Sequence, residues 1–250
     1  MKLWVCLLIP VVFLRFGGTF IGAIVCEDGI IVASDSRSTF EDADRRAVGY
    51  VDGMTKIFVQ QGAAFAVSGL TSVNDELFPA FVHRNEFLLA RPVDEVLFGV
   101  ALWLPFQNAT NVLLISAGFV NGEPTICSKG PNTPQSCRKT GYVTNRQSAS
   151  LARWYGETRG VLPKAQSAAA AMKQAILEGA AIDRGIGGPI SILLLKKNSP
   201  SQWLENPPGD GWTKVCDLVN DYRRNRATID FANSREELNR YLAGACPPGR

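Results

Sequence analysis

Strand-like and helix-like segments follow one another in blocks along this chain, and that order leaves few ways to build a core. The apolar runs "FIGAIVC" (Phe20 to Cys26) and "IIVASDS" (Ile30 to Ser36) are joined by Glu27-Asp28-Gly29, which reads as a hairpin. A second pair, "KIFVQ" from Lys56 and "AAFAVSG" ending at Gly69, turns at Gln61-Gly62. From Val73 to Phe106 the spacing becomes helical, through Leu77, Phe81, Phe87 and Leu88. After a break at Arg91-Pro92 it continues through Val93, Val96, Leu97 and Val100, which predicts two consecutive helices. Strand character returns in "NVLLISAGFV" and "PTICS" around Asn121-Gly122, then in "RKTGYVT". Helical spacing resumes near Ser148 and again from Pro163 to Ile182, before a last apolar run from Ile190 to Leu195. Strands that arrive in blocks must stack as sheets with helices covering the outside, so the expected fold is an α/β protein, a four-layer α/β/β/α sandwich. There is no internal repeat.

The ends of the chain differ from its middle. Met1-Lys2 precedes an unbroken apolar run from Leu3 to Leu14, then Arg15-Phe16-Gly17-Gly18, which is the layout of a secretory signal. Phe16 is larger than signal peptidase prefers three residues before a cut after Gly18, so a hydrophobic propeptide or an uncleaved anchor is the alternative. A signal implies export to a periplasmic or extracellular space; a propeptide leaves the cytoplasm open, and a membrane is involved only if the leader stays. The reading divides the chain into a leader (1–18), a catalytic-type domain (19–197), a Pro- and Gly-rich linker (198–212) and a C-terminal helical extension (213–250). The composition of the whole chain, 46% hydrophobic and 20% charged over 250 residues, is that of an ordinary globular protein. A net charge of +3 with scattered basic residues gives no support for nucleic-acid binding.

Of the six cysteines, Cys6 would leave with the leader, and the other five bear on the compartment. Cys127 and Cys137 flank a turn-rich loop and face each other across an expected hairpin; Cys216 and Cys246 bracket the C-terminal segment; Cys26 reads as a small buried hydrophobe. Two disulfides and one free thiol suit an oxidising space. With no CxxC and one histidine, His83, no zinc pattern is present, and neither a metal nor a cofactor is expected. "NAT" at Asn108 matches a glycosylation acceptor.

The chemistry centres on Thr19. A threonine hydroxyl needs a base to become a nucleophile. If the chain is cut after Gly18, the α-amine of Thr19, with a pKa of about 7.7–8.0 in model peptides, becomes a base on the same residue. Lys56, at the head of the third strand, is placed to hold down the proton affinity of that amine and to stabilise the alkoxide. Asp35 would fix the lysine, and the N–H of Gly69 would serve the oxyanion. Each has a plainer reading, as a turn cap, a strand-edge lysine and a turn glycine, and what counts is their occurrence together and in order.

The stretch "GTFIGAIVCEDGIIVASDSRST", followed by "MTKIFV" and "FAVSGLTS", resembles the β-subunits of the proteasome, within the N-terminal nucleophile hydrolases. The resemblance covers residues 19 to 196. It implies Thr19 as nucleophile with its α-amine as proton shuttle, Asp35 and Lys56 as support and Gly69 as oxyanion donor. Arg37 would belong to the surroundings of the site, Thr39 would pair with an extended substrate, and Val67 would line the pocket before the scissile bond, favouring apolar or small side chains. "DRGIGGPISILLL" resembles the segment after the last long helix, with Asp183 as second supporting carboxylate. Ile186 departs from the pattern, standing where active relatives carry a serine, and the other serine is Ser148 or Ser150. The implied function is a threonine-type peptidase acting on peptides or proteins; relatives stack into rings, and for this chain a homo-oligomer, whether ring or dimer, and a monomer both stay open. A small-molecule amidase of the same superfamily and a non-catalytic subunit or scaffold are the rival readings.

Overall fold

The computed structural model describes residues 13–15, 18–41, 47–60, 62–69, 72–73, 76–77, 82, 85, 90–101, 112–130, 133–207 and 209. Expectations for His83, Asn108, Phe81, Phe87, Leu88, the Cys216–Cys246 pair and the C-terminal extension lie outside these residues.

Two five-stranded antiparallel sheets form the body. One is built from β2 (Ile21–Cys26), β3 (Gly29–Ser34), β13 (Tyr142–Thr144), β14 (Ser191–Leu195) and β15 (Gln202–Glu205), in the order β13-β2-β3-β14-β15. The other contains β6 (Ile57–Gln60), β7 (Ala63–Ser68), β10 (Leu113–Val120), β11 (Glu123–Lys129) and β12 (Ser136–Arg138), in the order β12-β11-β10-β7-β6. Both expected hairpins are present, β2 on β3 with Cys26 opposite Gly29, and β6 on β7 with Gln60 opposite Ala63. The β10–β11 hairpin turns at Asn121 and Gly122, both at positive φ (51° and 79°), as a two-residue turn matched to strand twist requires.

The period-two alternation of β2 explains its continuous apolar sequence. Ile21, Ala23 and Val25 face the other sheet, meeting a core that includes Ala66, Ile115, Ala117 and Ile126. Ile24 and Cys26 point to the opposite face, where they pack with α2 (Ala149–Glu157) and α3 (Ala165–Ile182) through Leu151, Ala168, Met172 and Ile176. Both faces of the strand are therefore dry, so no polar alternation appears in its sequence. Gly22 permits the close approach of α3, because a Cβ there would lie 2.3 Å from Met172 Cε. The hairpin also caps that helix: Asp28 Oδ1 accepts from the Ala165 amide at 2.8 Å, while Lys164 at the N-cap makes no side-chain cap.

On the second sheet, α1 (Val93–Ala101) begins directly after Pro92, the expected break. It is fixed to β10 by Ser116 Oγ, which donates to Val93 O at 2.7 Å. The first of the two helices expected from Val73 to Phe106 is corrected at its start, where Ser72–Val73 and Glu76–Leu77 form the short strands β8 and β9, paired with each other, while Val82 further along is helical. Apolar spacing in so short a stretch does not separate the two periods. The 198–212 linker is likewise corrected in part, since β15 lies within it and pairs with β14; prolines and glycines at its ends masked a four-residue edge strand. "RKTGYVT" is not one strand but parts of two, with β12 and β13 in different sheets.

A small third sheet carries the segment from Asp35 towards the second hairpin. In it β4 (Ser38–Glu41) lies between β5 (Ala47–Val51) and β1 (Phe13–Arg15), a strand from the leader. Among the described residues, no helix is long and apolar enough to cross a membrane.

Cys127 and Cys137 are disulfide-bonded across β11 and β12. Cys26 is a free, buried thiol whose pKa is pushed up to about 12, chiefly by burial. Replacing Cys137 by serine should lower stability by about 2–3 kcal/mol, the scale of closing a short loop. Thermal unfolding of variant and wild type, each with and without reductant, checks this: reductant should lower the wild-type midpoint to that of the variant.

Candidate active site

Thr19 sits just before β2, Asp35 just after β3 and Lys56 just before β6, so three turns of the chain deliver them to one end of the stacked sheets. All three are buried, at 2%, 0% and 1% exposure. Lys56 Nζ donates to Thr19 Oγ1 at 3.1 Å, to Asp35 Oδ1 at 2.8 Å and to the Arg37 carbonyl at 2.6 Å. These acceptors match the three protons of an ammonium. Burial pushes the pKa of Lys56 below the ordinary lysine value, and the Asp35 carboxylate opposes that shift.

Asp35 is held as firmly as the lysine. Its Oδ1 also accepts from the Phe20 amide at 2.8 Å, and its Oδ2 from the amides of Arg37 at 3.2 Å and Gly187 at 3.0 Å. A carboxylate ringed by backbone N–H groups and an ammonium has its burial compensated. The Asp35 amide in turn donates to the Phe20 carbonyl at 3.1 Å, continuing the pairing of β2 and β3 to the site itself.

The bond before the threonine is packed against a second loop. Gly18 has φ of +80°, and a Cβ there would lie 2.4 Å from the backbone of Gly185. Only glycine fits that contact and that conformation. The 183–187 loop is tied down by Asp183, whose Oδ1 accepts from the Gly185 amide at 2.8 Å and whose Oδ2 pairs with Arg146 at 2.7 Å. Arg37 braces the loop from the other side. Its guanidinium makes a two-pronged contact with Asp52 at 2.7 and 3.0 Å, donates to Arg184 O and lies over the Tyr50 ring. That contact holds its pKa above the usual arginine value.

The remaining expected residues fall as follows. Gly69 closes β7 at φ of +76°, two residues after Val67, whose amide donates to the Lys56 carbonyl at 3.2 Å. Val67 is fully buried. Thr39 is in ladder with Tyr50 of β5 on one side and Arg15 of β1 on the other. Ser148 and Ser150 hydrogen-bond to Glu178, and Ser148 also caps α2 through the Leu151 amide. Ile186 is buried in the cluster that includes Phe20 and Met172. Two residues were missed by sequence reasoning. Asp52, the partner of Arg37, lies in a stretch without periodicity, and Asn145 follows β13 in "YVTNRQSAS", a loop whose pattern gives an asparagine no distinguishing mark. Its side chain contacts the main chain of both Thr19 and Ile21.

No family model and no curated protein matches the chain. Among solved structures, a structure described as an Anbu (Gly-1) mutant from Hyphomicrobium sp. strain MC1 is similar with a TM-score of 0.55 at 13% identity, covering 85% of this chain and 98% of that one. A further structure of Anbu from the same strain gives a TM-score of 0.51 at 13% identity, over 84% and 98% of the two chains. At such identity the likeness concerns the fold alone. This chain has a mixed α/β fold with two five-stranded antiparallel sheets, similar in fold to those Anbu structures.

Removing one partner of a buried ion pair strands the other. Asp35→Asn and Lys56→Met should each lower stability by about 3–5 kcal/mol, and the double variant should lose less than their sum because the two residues share one contact. Denaturant unfolding of the four proteins measures the cycle; additive losses would mean that the pair is not coupled.

Proposed function

We propose that the chain is a threonine-type peptidase, hydrolysing peptide bonds by acyl transfer to Thr19 once the leader is removed. The observation that carries the reading is the contact from Lys56 Nζ to Thr19 Oγ1 inside a buried, paired cluster. A structural threonine at a strand start has no need of a desolvated ammonium on its hydroxyl.

In the intact chain the nitrogen of Thr19 belongs to its peptide bond with Gly18. Cleavage there frees it as an amine. Thr19 Oγ1 then attacks the substrate carbonyl and its proton passes to the α-amine, giving a tetrahedral oxyanion with the Gly69 N–H as donor. Collapse expels the amine product, which takes the proton, and leaves an ester on Thr19. Water, deprotonated by the same α-amine, hydrolyses the ester to release the acid and restore the hydroxyl. Lys56 lowers the cost of charge on the threonine oxygen, Asp35 positions Lys56, and Asp183 holds the loop behind Gly18. The cut itself is made either by Thr19 on the Gly18 carbonyl or by a signal peptidase.

The same reading assigns Thr39 and Val67 to substrate: Thr39 through its strand edge, which β1 of the leader covers in the intact chain, and Val67 through the pocket before the scissile bond. It takes α1 on one side and α2 and α3 on the other as the outer layers of an α/β/β/α sandwich, and the working form as a homo-oligomer. The Cys127–Cys137 disulfide supports an exported location.

Thr19→Ala should abolish hydrolysis of a peptide library by the mature enzyme. Retained peptide hydrolysis would overturn the reading, and activity confined to small amides would move the site to an amidase. The pH profile carries a second expectation. The α-amine must be neutral and Lys56 charged, and burial lowers the lysine pKa, so the ammonium is lost as pH rises through that lowered value. The alkaline limb of kcat should therefore fall below the ordinary lysine value of about 10.4; a flat alkaline limb through that range would count against Lys56.

A further inference from the structure

Asn145 continues the β13–β2 pairing by one step, and its side chain reaches beyond that pairing to Thr19. Its Nδ2 donates to the Thr19 carbonyl at 2.7 Å and its Oδ1 accepts from the Ile21 amide at 2.9 Å, while its own amide donates to the Ile21 carbonyl at 3.2 Å. The peptide unit linking Thr19 to Phe20 is thus gripped at both edges. Asn145 holds its carbonyl from the β13–α2 loop, and Asp35 Oδ1 holds its N–H from the end of β3.

That peptide unit is the hinge on which an N-terminal nucleophile would turn. Once the bond to Gly18 is cut, nothing upstream restrains Thr19. The directions of its amine and its hydroxyl then depend on the downstream peptide plane and on the Lys56 contact. Fixing the plane from both edges keeps both groups in the geometry of attack, which is where catalytic precision is gained or lost. The next residue, Arg146, is ion-paired to Asp183, whose other oxygen holds Gly185 against Gly18. Two neighbouring residues of the β13–α2 loop thereby reach both sides of the Gly18–Thr19 bond.

We propose that Asn145 is a positioning residue for the nucleophile: its carboxamide clamps the Thr19 carbonyl so that the hydroxyl and freed amine stay aligned. This rests on the peptidase reading of the site. It requires both a donor and an acceptor at position 145. A carboxylate keeps the tie to Ile21 but offers the Thr19 carbonyl no proton until it is itself protonated.

The test is the rate at which a β-lactone acylates Thr19 Oγ1, followed by intact mass on the processed full chain, together with peptide kcat and KM and the thermal midpoint. Asn145→Ala should slow acylation about 10- to 100-fold, with the loss in kcat rather than KM. Asn145→Asp should be as slow at neutral pH. Its rate relative to wild type should then climb as pH falls through the carboxyl range near about 4, where the donor returns. The charged groups about the site, namely Arg146, Asp183, Lys56, Asp35 and the Thr19 amine, are present in both proteins. Because a carboxylate at position 145 also acts on that amine, the uncharged Asn145→Ala variant is read beside it to separate loss of the donor from added charge. A residue that only stabilised the loop would lower the midpoint without producing this pH-dependent ratio. Wild-type rates in both variants, or a ratio flat with pH, would overturn the assignment of Asn145 while leaving the peptidase reading intact. A wild-type Thr19 that is neither acylated nor active would overturn both.

Discussion

A charged lysine buried beside a carboxylate is the contact on which the site end of this molecule depends. Lys56 and Asp35 are both fully withdrawn from solvent, and neither could be so placed alone, because an unpaired buried charge costs several kcal/mol. Each satisfies the other, and the remaining valences are filled by the Thr19 hydroxyl, the Arg37 carbonyl and three backbone amides. Those partners come from the residues just before β2, the segment after β3, and the 183–187 loop. The pair therefore requires the ends of separate elements to meet in one arrangement.

The two stacked sheets make that meeting rigid. β2 and β3 are buried on both faces, between the second sheet and α3, so the strand ends that carry Thr19 and Asp35 have no freedom to separate. Arg37 adds a brace, joining the segment after Asp35 to Asp52 and to the 183–187 loop. Such a frame suits a site whose nucleophile would stand at a chain end, where the backbone alone supplies little restraint. It also accounts for the glycines around it: Gly18 and Gly187 lie where a Cβ would strike backbone or the Arg37 guanidinium.

Much of this was legible in the sequence, for reasons that can be traced residue by residue. Hairpins announced by Glu27-Asp28-Gly29 and Asn121-Gly122 are local, and the residues at their turns declare them. Thr19, Asp35 and Lys56 stand at strand ends within those local units, so once the hairpins are read, the three candidates follow from position. What stayed hidden depends on distant partners. The Asn145 grip on Thr19 joins residues 126 positions apart in the sequence, and the Asp52–Arg37 contact depends on where β4 and β5 place their ends. β8 and β9 are too short for a period to show, and β15 was concealed by the prolines and glycines around it. Ser148 and Ser150 had the right residue type, but their hydroxyls are taken up by Glu178 and the start of α2.

The central claim is that Thr19 becomes a chain end with a free amine beside its hydroxyl. Intact mass and N-terminal sequencing of the protein recovered from its native compartment test it most directly. The account predicts a mature chain beginning at Thr19, with the Gly18–Thr19 bond cut. A chain that keeps that bond, or begins at any other residue, would contradict it and favour the rival reading of a non-catalytic scaffold.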